Sequence, residues 1–117
     1  AALAAIRETA AIRRELAERD PATHAPALAP CLHRLAKRLA EAGHRGEALQ
    51  TAREAVAAYR SLVRRRPEDF DQGLAGALRT YASVLGWAGK EADAARIRRE
   101  SEAATEQKAL EDSIRGF

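Results

Sequence analysis

The sequence predicts an all-α fold: a short right-handed α-solenoid of antiparallel helix pairs, about five helices in the order B-A-B-A-B. Three observations predict it. The chain is 46% hydrophobic but only 4% aromatic, with 32% charged residues. Much of its apolar content is therefore alanine, as in helical bundles, solenoids and coiled coils. It also lines up with itself at a shift of 46 positions: Pro21 meets Pro67, Leu28 meets Leu74, Leu32 meets Leu78, Leu39 meets Leu85 and Gly43 meets Gly89. Finally, Leu28, Leu32, Leu35 and Leu39 recur at spacings of four and three, the signature of one buried helical face.

At 117 residues there is room for one domain, 1–117, made of about two and a half repeats, and not for two independent cores. The chain contains no methionine, so residue 1 is not expected to be a native start and the chain reads as part of something longer.

The first B helix is expected over 2–19. Its Leu3, Ala5, Ile6, Ala10, Ile12 and Leu16 cover about half the circumference at roughly 100° per residue, a width suited to a helix packed between two neighbours. Asp20-Pro21 ends it, because a residue before proline is steered out of the helical region. The first A helix follows over 25–42 and stops at Gly43, which supplies the left-handed residue of a C-terminal cap. A second B helix over 47–65 ends at Arg66-Pro67, a second A helix covers 71–88 up to Gly89, and a last B helix covers 91–112. The same shift carries Arg7 to Arg53, Arg14 to Arg60, and Glu8 to Glu54 to Glu100. In the last helix Arg98, Ser101 and Glu102 replace Ala52, Ala55 and Val56, the polar substitution that the end of a stack requires.

Several function classes are excluded. One cysteine cannot make an internal disulfide, and no window approaches about 18 consecutive apolar residues, so no membrane span is expected. Charge arrives at Arg7 and Glu8 before any apolar run that could serve as a signal peptide, and a cytoplasmic protein is expected. A net charge of +3, with acids and bases interleaved, argues against nucleic acid. So do Tyr59, Phe70, Tyr81, Trp87 and Phe117, which do not interleave with basic residues. Arg64-Arg65-Arg66 suits the negative end of a helix dipole.

No catalytic constellation assembles. His24 lies two helical turns before Cys31, and His33, two residues on, points elsewhere. A nucleophile needs its base within hydrogen-bond reach, so Cys31 reads as a buried structural residue. The scattered His24, His33 and His44 do not converge as metal ligands. Glu68, Asp69 and Asp71 are placed to complement a helix N-terminus. No enzyme activity, cofactor or metal is expected.

The run Leu32-His33-Arg34-Leu35-Ala36, with Gly43 at the turn and Ala52 and Ala55 in the next helix, resembles the tetratricopeptide repeat family. That family has large-x-x-large-small in helix A, glycine at the turn and small residues at fixed places in helix B. The second copy, Leu78-Arg79-Thr80-Tyr81-Ala82 with Gly89, matches the same portion. The 46-residue period, against about 34 in the usual repeat, is similar to the extended variety of Arg- and Ala-rich bacterial proteins.

The resemblance implies a concave face lined by A helices, carried here by Pro30, His33, Lys37, Ala40 and Glu41, then by Gly76, Arg79, Ser83, Gly86 and Trp87. Family members that grip peptide backbones or terminal carboxylates commonly use asparagine at two of these places. This chain has none, so that clamp is not reproduced. The candidate partner-binding residues are His33, Lys37, Glu41, Arg79, Ser83 and Trp87, with Lys37 and Arg79 suited to an acidic peptide. Trp87 serves either as packing between repeats or, if exposed, as a partner anchor.

The function implied is a protein–protein interaction scaffold that holds a peptide or protein segment on the concave face. Two alternatives stand beside it: an architectural or sensor region of a larger signalling ATPase, and weak nucleic-acid binding through basic helices. Because the first B helix lacks the A helix that would precede it, Leu3, Ile6, Ala10 and Ile12 are expected to be partly uncovered, and to be covered either by a second copy, as a homodimer, or by residues upstream of this chain.

Overall fold

The computed structural model describes residues 2–116; Phe117 lies outside them. Five helices follow one another: α1 (Ala2–Arg19), α2 (Pro21–Glu41), α3 (Arg45–Arg65), α4 (Pro67–Trp87) and α5 (Glu91–Arg115). Each packs against the next, α2 also approaches α4, and the described residues contain no strand. The result is a slab of 49 × 36 × 20 Å. None of its helices is long and apolar enough to cross a membrane.

The A helices begin four residues earlier than the apolar stripe indicates. The prolines that end α1 and α3 occupy the first position of α2 and α4. There the missing N–H costs nothing and the fixed φ is already helical. One residue, Asp20 or Arg66, therefore separates a B helix from the next A helix. The Asp20 side chain accepts from the Thr23 amide at 3.4 Å. That bond, ahead of the nearby His24, holds its carboxyl below the ordinary value. The A-to-B turns close on Gly43 (φ 83°) and Gly89 (φ 79°). At each turn the following amide reaches back five residues, His44 to Leu39 and Lys90 to Leu85, both at 2.9 Å. This capping pattern needs the left-handed residue that only glycine adopts cheaply.

The core runs the length of the slab and is built from repeat-equivalent positions. Leu32 and Leu78 are fully buried, as are Leu39 and its partner position Leu85. Ala29 and Ala75, Ala36 and Ala82, and Ala48 and Ala94 are buried beside them. Small side chains at these places let the helices approach closely.

Both end helices present one packed and one open face. On α1, Leu3 and Ile6 pack against the core and Ala10 is fully buried. The expectation of partial exposure is corrected for Ala10 alone; Leu3 and Ile6 are half-buried, on the face turned to α2. The open face carries Ile12, 55% exposed, and Leu16, 38% exposed. These correspond to Ala58 and Leu62 on α3, of which Leu62 is buried. The polar triad of α5 also divides. Ser101 is buried against α4, its hydroxyl donating to the Ala75 carbonyl at 3.0 Å, while Arg98 and Glu102 are exposed. Only the latter two belong to the open end. Cys31, expected to be buried, is half-buried.

The B helices make no close backbone approach to one another among the described residues; long side chains span the gap. Arg14 grips Glu54 through two bonds of 2.7 Å, and the equivalent Arg60 grips Glu100 at 2.8 Å. Arg7 bridges Glu47 in the same way at 3.0 and 2.7 Å. Each pair is roughly 40% exposed, so it fixes spacing more than it adds stability, at about 0–1 kcal/mol.

Candidate functional site

Because α2 meets α4 directly while the B helices are held apart by Arg–Glu pairs, the stack is tighter on its A side. The A-helix face is the inner face. On α2 its exposed residues are Pro30, Arg34, Lys37, Arg38 and Glu41, spaced at three and four along one side of the helix. On α4 they are Arg79, Ser83 and Trp87, again four apart.

His33 sits where the two helices meet. It is half-buried, and its Nε2 lies 2.7 Å from the Thr80 hydroxyl. Burial first, and then the positive charges of Lys37 and Arg79, push its pKa below the ordinary 6.5. The ring is therefore neutral at pH 7, and its two cationic neighbours are gathered around one point. Among the described residues neither Lys37 nor Arg79 has a carboxylate partner, nor does Arg34.

Glu41 behaves differently from its neighbours. Arg38 donates to both of its carboxylate oxygens at 3.1 Å, so its charge is spent locally. Ser83 returns its hydroxyl hydrogen to the Arg79 carbonyl at 3.1 Å. Trp87 is 53% exposed at the end of α4 and packs between no repeats. Of the two roles open to it, the buried one is overturned.

Two depressions mark this side. A shallow one of about 250 Å³ on α2 is lined by Pro30, His33, Arg34, Lys37 and Arg38. A larger groove of about 460 Å³ runs between α4 and α5, past Arg79, Ser83, Arg98, Glu102 and Thr105. The internal repeat explains the second. These five of its residues correspond to His33, Lys37, Ala52, Val56 and Tyr59, of which His33 and Tyr59 meet α4 in the preceding unit. Thr80 bonds His33 there, and Gly73 lies against the Tyr59 ring. The groove is thus the equivalent of the seat that α4 occupies, with Arg98, Glu102 and Thr105 in place of Ala52, Val56 and Tyr59.

The structure brings His33, Lys37 and Arg79 together and puts Ser83 and Trp87 on the same exposed line. It leaves Glu41 paired. The candidate residues omit Arg34 and Arg38, although the spacing 30-33-34-37-38-41 could have revealed them as one helix face. Among the described residues no group of three or more His, Cys, Asp or Glu side chains could hold a metal ion.

His33 carries a pH-dependent prediction. Its folded pKa lies below the 6.5 of an unperturbed imidazole, so the unfolded chain takes up its proton first. Its contribution to stability is complete above about pH 6.5 and is lost as pH falls from there through the folded value. The Tm of the wild type should therefore fall more steeply than that of His33→Gln between about pH 7.5 and 5.5. Parallel melting curves would contradict this placement of the ring.

Set against family models, curated proteins and solved structures, the chain matches none of them.

Proposed function

We propose that this chain is a tetratricopeptide-like module without chemistry of its own, and that it holds an acidic protein segment along its A-helix face. One observation carries the reading. Lys37 and Arg79 come from different repeats, surround the neutral His33, and have no carboxylate partner among the described residues. A solvated surface of this composition ordinarily interleaves its charges, as the B side does with its Arg–Glu pairs. Cations left together on the tighter side of a helical stack favour a ligand that brings its own carboxylates. Trp87, at the end of the same line, supplies the large amphipathic surface typical of an anchor residue.

The segment would lie across α2 and α4, with acidic side chains over Lys37 and Arg79 and an apolar one against Trp87. Fluorescence anisotropy against an array of acidic peptides tests this. The Lys37→Glu, Arg79→Glu double variant should bind the selected peptides more weakly by about 1–3 kcal/mol. The Arg65→Glu, Arg99→Glu double variant, which changes the net charge equally at exposed positions of α3 and α5, should cost no more than a few tenths of that. Equal losses in both variants would mean that only net charge matters, and the reading would fall.

A further inference from the structure

We propose that the B side of the molecule carries an anion site of its own, in the slot between α3 and α5, built to take a phosphate monoester. The slot is a depression of about 320 Å³ lined by Arg53, Arg60, Arg64 and Arg96, with Tyr81 of α4 beneath them. No carboxylate lines it. Glu100 pairs with Arg60 at 2.8 Å, and Asp93 approaches Arg96 only to 3.7 Å, within its own helix. Arg53 is left to donate to the Tyr81 hydroxyl at 3.4 Å, and Arg64 to the Arg60 carbonyl at 3.5 Å.

The molecule contains its own control. The repeat-equivalent slot, between α1 and α3, is lined by Arg7, Arg14, Leu35, Gln50, Glu47 and Glu54, among others. There both arginines are neutralised across the gap, Arg7 by Glu47 and Arg14 by Glu54, each through two bonds. Four of the differences between the two slots bear on their charge and hydrogen bonding. Glu47 becomes Asp93, one methylene shorter, which turns to Arg96 and leaves Arg53 without a carboxylate. Gln50 becomes Arg96, Glu18 becomes Arg64, and Leu35 becomes Tyr81. One bridging pair, Arg60–Glu100, is thus kept and the other is opened, leaving four guanidinium groups beside two carboxylates.

Solvation alone would not require a neutral slot to be rebuilt at the next repeat with two added arginines and a third, Arg53, released from its carboxylate. A phosphoryl dianion fits the chemistry. Guanidinium forks match its oxygens in pairs. The Tyr81 oxygen already accepts from Arg53, so its own hydrogen is left to donate. The Glu100–Arg60 pair holds one wall in place. A carboxylate, with two oxygens and a single charge, would satisfy fewer of these donors.

The test is a titration of the full chain with inorganic phosphate, O-phosphoserine and acetate at constant ionic strength, followed by NMR. Both phosphate ligands should give saturable shifts centred on Arg53, Arg64, Tyr81 and Arg96, with Kd of about 1 mM or tighter. Affinity for O-phosphoserine should rise as its phosphate loses its second proton near about pH 6. O-phosphoserine binding tighter than inorganic phosphate identifies the monoester; preference for the free ion would overturn that assignment. The triple variant Arg64→Glu, Asp93→Glu, Arg96→Gln restores the first slot's pattern and should weaken binding at least tenfold, with the helical circular-dichroism signal unchanged. Arg53→Gln provides a milder change that should weaken it about threefold to tenfold. Shifts that do not saturate, acetate binding as well as phosphate, or undiminished binding in both variants would overturn the proposal. None of these outcomes depends on the A-helix face.

Discussion

Leu78→Ala is expected to lower the free energy of unfolding by about 2–5 kcal/mol, the range for removing a fully buried leucine. Leu78 has no exposed surface and lies in the middle of α4, the helix that touches α2, α3 and α5 alike. Of the helices it faces, α2 and α3 are also packed against each other, which limits how far they can collapse into the space. Against a total of about 5–15 kcal/mol for a domain, such a loss leaves a marginal protein. Leu32, its repeat equivalent and equally buried, should respond alike. Ile12→Ala, at a position 55% exposed, should cost less than about 0.5 kcal/mol. Urea unfolding followed by circular dichroism measures all three. Hydrogen exchange adds a second reading, since in a stack of nearest-neighbour contacts the damage is local. Amides of α4 and α5 should lose protection in Leu78→Ala before those of α1 do. A wild-type midpoint for Leu78→Ala would mean that the helices are wrongly placed.

The parts of this fold that were legible in the sequence are those set by local chemistry. The self-match at 46 residues located the helix pairs because proline and glycine act on their own backbone. Gly43 and Gly89 need positive φ whatever surrounds them. Pro21 and Pro67 were read as stop signals only, and their second role as first residues of α2 and α4 moved those helices four residues upstream. What a helix does with a broad apolar arc was less legible. Leu3, Ile6 and Ala10 fall on the face toward α2 and Ile12 on the opposite one, a division that depends on the crossing angle of two helices. The exposure of Trp87, at the last position of α4, is likewise a tertiary fact. On the candidate face, His33, Lys37 and Arg79 were accessible through helical spacing within each copy, but their meeting around one imidazole was not. The Arg–Glu pairs between B helices did leave a trace. Arg14 and Arg60 match under the shift, and so do Glu54 and Glu100. Pairing residues 40 apart required knowing that alternate helices lie side by side.

The second large effect is expected at Gly73, where alanine, ordinarily the better helix residue by about 1 kcal/mol, should instead destabilise by about 1–3 kcal/mol. A Cβ built on Gly73 meets the Tyr59 ring, 2.8 Å from Cζ and 2.9 Å from Cδ1. The ring is not a loose end that can swing aside: Tyr59 is only 6% exposed and belongs to the core. The repeat shows how the pair arose. At the equivalent place in the preceding unit α2 carries Ala27 and α1 carries Arg13, so a larger aromatic on the B helix goes with a smaller residue on the A helix. A double-mutant cycle isolates this dependence. In a Tyr59→Leu background the space occupied by Cε1 and Cζ is vacated. There Gly73→Ala should become neutral or stabilising by up to about 1 kcal/mol, its helix propensity no longer opposed. The same cost in both backgrounds would mean that backbone strain, not the ring, makes glycine necessary. The contact also sets how far α4 stands from α3, and hence the distance of Arg79 from Lys37 across the inner face. Gly73→Ala should therefore shift the NMR resonances of Thr80, two helical turns along α4, and of His33, which bonds it, and Tyr59→Leu should reverse that shift along with the stability loss.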